Sequence, residues 1–244
     1  MKRTLLASLI IAATTITTSA AQAIDFDPFV IRNSNVGSVA PTITENLDGD
    51  GAHCATPLDG QKVGYGTNYF NGKTFGSIES VDFDYVSGPT TIIPYVNIWV
   101  TDGTNYAIIS TENDYRGDNW ATYAEFKVFE TDFSDLDWLL GGNPANRSNQ
   151  YLQKSDGLGG WTNVTGADLA HLTIADPGVY TNGFIGTGAP KNGTGFNIIW
   201  GDTATNYVGV YEYDNLVVTE VPEPASLALL SLGLIVVARR RNQA

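Results

Sequence analysis

The sequence predicts an all-β protein, an antiparallel β-sandwich of the jelly-roll kind with short helical turns. The composition favours strands and turns, with 26 glycines, 12 tyrosines and 10 phenylalanines among 244 residues. Short runs in which apolar and polar residues alternate recur between clusters of turn residues. Long stretches with the 3.6-residue period of a helix are absent outside the two ends of the chain. Together these observations favour two packed antiparallel sheets.

The first strands are predicted from their patterning. In residues 81–85, apolar residues alternate with aspartates, which indicates a strand with one buried face. Residues 92–100 are apolar on both faces and predict a central strand, in which Pro94 should lie early or at a bulge. The pair Asp102-Gly103 indicates a hairpin turn, after which residues 106–110 return as the next strand.

The remaining strands are predicted in the second half of the domain. Residues 121–129 contain an alternating run with Phe126 and Val128 on one face. Two apolar runs near the end of the domain, over residues 195–200 and 207–218, predict the closing strands.

Two short helical turns and one long loop complete the predicted domain. Ser134 could cap a turn that runs to Leu140, where Gly141-Gly142 would end it. A second helical turn is expected over residues 165–171. Residues 141–160 are rich in glycine, asparagine and serine, so we expect a long loop there.

The amino terminus has the pattern of a signal peptide over residues 1–23. Lys2 and Arg3 precede an apolar stretch, and Ala21 and Ala23 form a small-x-small cleavage site. No cysteine follows that site, which excludes a lipoprotein signal. We therefore expect an exported protein whose β-sandwich domain spans residues 24–219.

The carboxyl terminus, residues 220–244, has the pattern of a membrane-targeting tail. Pro222, Glu223 and Pro224 precede an apolar segment over residues 225–238, and Arg239, Arg240 and Arg241 follow it. Fourteen helical residues span only about 21 Å, whereas a bilayer core is roughly 30 Å thick. The segment is therefore a marginal transmembrane-like helix, with the arginines as a membrane stop on the cytoplasmic side. An ordinary single-span anchor is the alternative interpretation.

This tail resembles the PEP-CTERM signal of exported bacterial proteins. The resemblance rests on the Pro222-Glu223-Pro224 motif, the short apolar segment and the terminal arginine cluster. It implies that an exosortase-like enzyme recognises the motif and processes an inner-membrane-anchored precursor, so that the tail contacts the inner membrane only transiently. It also implies a Gram-negative bacterium that makes extracellular polysaccharide, with the mature protein at the cell surface or outside the cell.

Charge and cysteine content narrow the function classes. The formal net charge is −13. The two ends, residues 1–23 and 222–244, contain five of the 13 basic residues but only one acidic residue, Glu223, so the domain between them is more acidic than the whole chain. Such an acidic domain argues against nucleic acid as a partner, because phosphate binding needs clustered lysine and arginine. The single cysteine, Cys54, excludes an intramolecular disulfide. It is expected to be a partly buried small side chain, with a reactive or intermolecularly paired thiol as the alternative.

The sequence contains no catalytic signature that we can identify. His53 and His171 lie far apart without a motif around either, and no nucleophile elbow, HExxH or CxxC pattern occurs. Acidic pairs suitable for glycoside hydrolysis are plentiful, which makes them unspecific. We therefore predict a protein that is not an enzyme, with a glycoside hydrolase or lyase as the alternative.

A structural calcium ion is a second hypothesis. Asp48 and Asp50 alternate with glycines as in part of a calcium-binding loop, but no glutamate occupies the place of a twelfth ligand. Asp214 lies in a run that resembles the closing strand of carbohydrate-binding jelly rolls, in which the matching aspartate helps to hold calcium. A simple turn at Asp48 to Asp50 and a bulged strand end at Asp214 are the alternatives.

Aromatic residues next to polar ones provide the candidate ligand-binding positions. Tyr115, Asp118 and Trp120 lie together in a predicted loop, and Trp161 adjoins a glycine-rich stretch. Tryptophan and tyrosine rings stack on sugar rings, and carboxylates bind sugar hydroxyls. Core packing is the alternative for any single tryptophan.

These features together predict an exported surface or matrix protein that is not catalytic. We expect it to associate with exopolysaccharide and biofilm through a sandwich like that of carbohydrate-binding modules. The alternative is a purely structural envelope or biofilm protein without a small ligand.

Overall fold

The computed structural model describes residues 24–32, 40–56, 60–88, 93–112, 119–129, 135–175, 194–201 and 208–221. Within these ranges the chain forms 14 strands, one short α-helix and two 3₁₀ turns. The strands are β1 Asp27–Arg32, β2 Thr42–Glu45, β3 Ala52–Thr56, β4 Lys62–Thr67, β5 Ile78–Ser87, β6 Tyr95–Thr101, β7 Tyr106–Ser110, β8 Lys127–Phe129, β9 Ala145–Ser148, β10 Tyr151–Ser155, β11 Trp161–Asn163, β12 Thr173–Ile174, β13 Phe196–Trp200 and β14 Gly209–Glu220.

The strands form two antiparallel sheets, which confirms the predicted all-β class. The larger sheet has the order β1-β4-β13-β6-β7-β8-β10-β11, with β12 also paired to β6 and β9 to β10. The smaller sheet has the order β2-β3-β14-β5. The jelly-roll topology stays a prediction.

The core lies between the two sheets and is rich in aromatic side chains. Tyr213 of β14 packs edge-on against Tyr65 of β4, with ring centroids 6.1 Å apart. Trp200 of β13 lies 4.6 Å from the same Tyr213 ring. All three residues are fully buried, and such ring pairs contribute about 0.5–1.5 kcal/mol beyond the burial of their area. Contacts of this kind hold the two sheets face to face.

The centre of the larger sheet is buried on both of its faces. On the side away from the smaller sheet, Tyr95, Ile199 and Ile31 form a second apolar cluster with Phe29. The Phe29 ring lies flat over Gly64, where an added Cβ would come within 2.4 Å of the ring. Glycine at this position therefore permits the close approach of β1 to β4.

Five predicted strands are confirmed with small shifts at their ends: β5, β6, β7, β13 and β14. Strand β6 begins directly after Pro94, as expected for a proline at a strand start. The hairpin turn at Asp102-Gly103 is also confirmed, because the Asp102 carboxylate accepts the backbone N–H of Thr104 and of Asn105. Strand β14 reaches Glu220, just beyond the predicted domain end at residue 219.

The strand predicted over residues 121–129 is wrong over residues 121–126. Strand β8 begins only at Lys127. Before it, the backbone N–H groups of Thr122 and Tyr123 both donate to the Asn119 carbonyl at 3.1 Å, which makes a turn. Alternation of apolar and polar residues therefore did not suffice to predict a strand at residues 121–126. Hydrogen bonds within the turn, rather than bonds to a neighbouring strand, satisfy the backbone of Thr122 and Tyr123.

The long loop predicted over residues 141–160 is wrong. It contains the hairpin of β9 and β10, joined by Asn149 and Gln150. Both linking residues have positive φ, 50° and 72°, as a two-residue type I′ turn requires. Strand β11 then pairs with β10 on its other side and forms an edge of the larger sheet.

Both predicted helical turns are present in shorter form. A 3₁₀ turn spans Asp137–Leu140 and ends at Gly141, which has φ of 63°; the predicted cap Ser134 lies outside the described residues. The helix α1 spans Gly166–Leu169 and begins with a capping box in which Thr165 and Asp168 exchange hydrogen bonds.

Candidate functional site

Three of the predicted ligand-binding residues are Tyr115, Asp118 and Trp120. Only Trp120 is among the described residues, and it offers no surface on which a sugar could stack. Tyr115 and Asp118 lie outside the described residues. Trp120 is only 3% exposed, and its ring lies 5.5 Å from Phe75 and 5.4 Å from Phe126. The expectation that Trp120 binds a ligand is therefore corrected: its indole packs in the apolar core.

Trp161, the other predicted ligand-binding residue, lies on the surface. It is the first residue of the edge strand β11 and is 46% exposed. Most large apolar residues near it in the sequence are buried, including Leu152 and Val164. An exposed tryptophan on a strand that is anchored by buried neighbours is a preformed contact surface.

Strand alternation places polar and aromatic side chains beside Trp161. Ser155 lies directly opposite Trp161, and Gln153 lies opposite Asn163. The Gln153 Nε2 atom donates to Asn163 Oδ1 at 3.3 Å, which shows that the two amides share one face. Because strand side chains alternate with a period of two, Tyr151 belongs to the same face. We call this surface the β9–β11 face; it consists of Asn146, Ser148, Tyr151, Gln153, Ser155, Trp161 and Asn163.

The other side of the same strands fixes this face to the domain. Leu152 and Val164 are buried in the main core. Lys154 also points away from the β9–β11 face, and its ammonium group contacts both Asp168 oxygens at 2.7 Å. Burial alone would raise the pKa of Asp168, but hydrogen bonds from Lys154 and then Thr165 outweigh it and lower that pKa. These buried side chains and this ion pair therefore hold the strands that carry the β9–β11 face in place.

The loop between β10 and β11 is ordered by one carboxylate. The Asp156 carboxylate accepts the backbone N–H of Leu158 at 2.7 Å and of Gly160 at 2.8 Å. These hydrogen bonds lower the pKa of Asp156. Gly157 and Gly159 have positive φ, 74° and 94°, which the tight path of the loop requires. The loop thus holds the start of β11, and with it Trp161, in one position.

The Lys127 ammonium group lies on the same side of the sheet as the β9–β11 face. Lys127 of β8 lies opposite Tyr151. Its Nζ atom is 5.7 Å from the centroid of the Tyr151 ring, within the range of a cation–π contact. The contact with Lys127 therefore orients the Tyr151 ring.

Two of the three predicted calcium ligands come together. Asn46 Nδ2 donates to Asp50 Oδ1 at 3.0 Å and to Asp214 Oδ1 at 2.7 Å, although Asp214 is distant in the sequence. Asp48 is exposed in the same turn and does not join them. An amide group thus bridges the two carboxylates.

The same asparagine organises the loop that carries Asp50. Asn46 Oδ1 accepts the backbone N–H groups of Gly49, Asp50 and Gly51 at 2.9–3.1 Å. The Asp50 carbonyl accepts the N–H of Leu216 at 2.7 Å, which ties the loop to β14. The predicted turn at this position is confirmed, and it closes one end of the smaller sheet.

Neither a metal cluster nor a reactive thiol is found in the part of the chain that the structure describes. No group of three His, Cys, Asp or Glu residues is placed to hold a metal ion there, so the calcium hypothesis stays a prediction. Cys54 is fully buried between the sheets, and burial raises the pKa of its thiol. This favours the packing interpretation of Cys54, because a buried protonated thiol is unreactive.

Comparison with known proteins identifies the tail alone. Residues 220–242 match the family model of the PEP-CTERM protein-sorting motif, which confirms the resemblance of Pro222-Glu223-Pro224 and its surroundings. No curated protein and no solved structure matches the chain. Among the described residues no helix is long and apolar enough to cross a membrane. The apolar segment 225–238 lies outside them, as do Arg239 to Arg241 and the predicted cleavage site at Ala21 and Ala23.

Proposed function

We propose that this chain, which has a PEP-CTERM sorting motif, is a non-catalytic protein that binds extracellular polysaccharide through its β9–β11 face. The motif indicates an exported protein with a membrane-anchored precursor that an exosortase processes. The mature domain would then act at the cell surface or in the matrix of a biofilm. Its binding surface would be the exposed edge of the larger sheet.

The observation that supports binding is the combination of side chains on the β9–β11 face. Trp161 and Tyr151 offer ring surfaces on which the C–H groups of a sugar can pack. Gln153 and Asn163 offer amide donors and acceptors, which match sugar hydroxyl groups. None of these four residues is fully buried, so a polymer can approach them. A flat, open face of this kind suits a chain better than a small molecule, which would need a concave pocket.

Substitution of Trp161 tests the proposal directly. We expect the full chain to be retained on at least one immobilised polysaccharide from a broad panel. The Trp161→Ala variant should bind about tenfold more weakly, since truncation of a central aromatic contact costs on the order of 1–2 kcal/mol. Pull-down with quantified depletion measures the effect.

A matched control separates this site from general surface hydrophobicity. Leu47 is an apolar residue that is fully exposed on the distant Asn46 loop. The Leu47→Ala variant should bind like the wild type. If no polysaccharide retains the protein, the purely structural alternative is favoured; if a purified sample releases reducing sugar, the hydrolase alternative is favoured.

A further inference from the structure

We infer that the β9–β11 face selects an uncharged polysaccharide and binds it as an extended chain over both Tyr151 and Trp161. This inference rests on the proposed function and adds the chemical class of the ligand. Three features of the described residues support it: the chemistry of the face, the separation of its two aromatic rings, and its rigidity.

The seven residues that define the face offer groups for hydroxyls and include no cation for an anion. Its seven residues are three amides, two serines, one tyrosine and one tryptophan, none of which is charged at neutral pH. Lys127 of β8 lies on the same side of the sheet, and its ammonium group is directed at the Tyr151 ring, 5.7 Å from the centroid. The chain as a whole has a formal net charge of −13, and such a field repels a polyanion at long range. Uncharged sugars meet no such barrier.

The two aromatic residues start from backbone positions that are farther apart than one sugar ring is wide. Trp161 lies opposite Ser155, and Tyr151 lies four residues before Ser155 on β10. With a rise of about 3.4 Å per residue and a strand spacing of about 4.8 Å, the two Cα atoms are roughly 14 Å apart. A single pyranose ring cannot bridge that distance. The bonded amides of Gln153 and Asn163 lie between the rings, where the intermediate sugars of an oligomer would pass.

Rigidity favours binding because little side-chain and loop entropy is lost. The Asp156 carboxylate fixes the loop before Trp161. The turn at Asn149 and Gln150 fixes the register of β9 against β10. A preorganised face of this kind retains more of its contact energy as affinity.

The closing experiment compares ligand classes with the full chain. Affinity electrophoresis is run in gels that contain neutral polysaccharides (cellulose derivatives, β-1,3-glucan, mannan, dextran) or anionic ones (alginate, hyaluronan). We expect retardation by at least one neutral polymer and none by the anionic polymers. Retardation should persist when the salt concentration is raised, because no charge pair is screened.

An oligosaccharide series from the retarding polymer tests the two-ring geometry. Affinity should rise with chain length until the oligomer spans both rings, and then level off. Tyr151→Ala should remove the gain in affinity that the longer oligomers show over the short ones. Trp161→Ala should weaken all of them by about tenfold, and Leu47→Ala none.

The outcomes separate the two proposals. Binding to an anionic polymer alone, or binding abolished by salt, would overturn this inference and leave polysaccharide binding in place. A neutral ligand whose affinity does not depend on length or on Tyr151 would overturn the two-ring geometry. Absence of binding to every polymer would overturn the proposed function itself.

Discussion

Two tyrosines of the core differ in whether their hydroxyl groups are satisfied. Tyr65 donates to the Glu45 carboxylate and lies 3.4 Å from the Gly49 carbonyl oxygen, so its hydroxyl supports the loop at the end of β2. The Tyr213 hydroxyl is buried and has no hydrogen-bond partner in the described ranges. A buried polar atom without a partner costs on the order of 1–3 kcal/mol. One side chain therefore anchors a loop, while the other supplies only ring area.

Removal of each hydroxyl should have opposite effects. We expect Tyr213→Phe to raise the free energy of unfolding by about 1 kcal/mol, because an unsatisfied group leaves the core. Tyr65→Phe should lower it by a similar amount, since the bond to Glu45 is lost. Urea unfolding followed by fluorescence measures both. Equal destabilisation by the two variants would show that a partner, such as a buried water, satisfies Tyr213.

The β9–β10 hairpin is the element on which the proposed site depends. Its type I′ turn places Asn149 and Gln150 in the left-handed region, and glutamine is poorly suited to a φ of 72°. Asparagine is tolerated there because its short side chain bonds locally. The hairpin therefore forms in spite of one unfavourable residue, through the burial of Leu152 and Val164 beneath it.

Glycine at the second turn position should relieve this strain. We expect Gln150→Gly to stabilise the protein by roughly 1 kcal/mol, the usual cost of a left-handed non-glycine residue. The control replaces a glycine of positive φ with alanine. Gly103 suits this test because its φ is 98° and an added Cβ would meet no heavy atom within 4 Å. Gly103→Ala should therefore destabilise through its backbone alone. Thermal unfolding of both variants measures this, and a destabilised Gln150→Gly would contradict the assignment of the turn.

Sequence patterning predicted the elements that bury many apolar side chains. Strands β6 and β13 were found because nearly all of their residues are apolar. Strands β9 to β11 were missed because Leu152 is the one fully buried apolar residue of the hairpin, with Ala145 partly buried beside the core, and the neighbouring asparagines and glycines indicated a loop. The same property explains the candidate site. Trp161 was predicted from its residue type, whereas Tyr151, Gln153 and Asn163 become neighbours only through the strand register.

The bridge that Asn46 makes between Asp50 and Asp214 is a second feature that sequence patterning did not predict. Each was predicted separately as a metal ligand, and the sequence contains no signal that Asn46 bridges them. Asparagine can do so because its amide donates to two acceptors while its oxygen accepts loop N–H groups. Strand order, which brings β14 beside β3, supplies the rest.

The whole molecule is acidic. In the folded state, several of its carboxylates accept hydrogen bonds that lower their pKa values. Hydrogen bonds from the backbone N–H groups of Asn105 and Thr104 outweigh burial and lower the pKa of Asp102. The pKa of Asp168 is lowered as well, chiefly by Lys154 against the opposing effect of burial. A lowered folded-state pKa adds stability above the ordinary carboxyl pKa. That stability is lost as the pH falls through the folded-state value.

We therefore expect the unfolding midpoint in urea to fall as the pH drops below about 4. Lys154→Met should lower stability at neutral pH, and its curve should converge with that of the wild type in acid, where Asp168 is protonated. Lys127→Met is the matched control, because Lys127 forms none of the ion pairs found among the described residues. A constant offset between Lys154→Met and the wild type at all pH values would contradict this explanation.

The sorting signal overlaps the folded domain. The match to the motif begins at Glu220, the last residue of β14, whose carboxylate contacts the Lys73 ammonium group at 2.6 Å. The next residue, Val221, still donates its N–H to the Ser77 carbonyl at 2.9 Å. Pro222 follows Val221 directly in the sequence, so no linker separates the hydrogen-bonded end of the domain from the Pro222-Glu223-Pro224 motif. A truncated protein that represents the processed form should therefore end no earlier than Val221. A shorter one would lose the hydrogen bond from Val221 to Ser77 and the ion pair between Glu220 and Lys73.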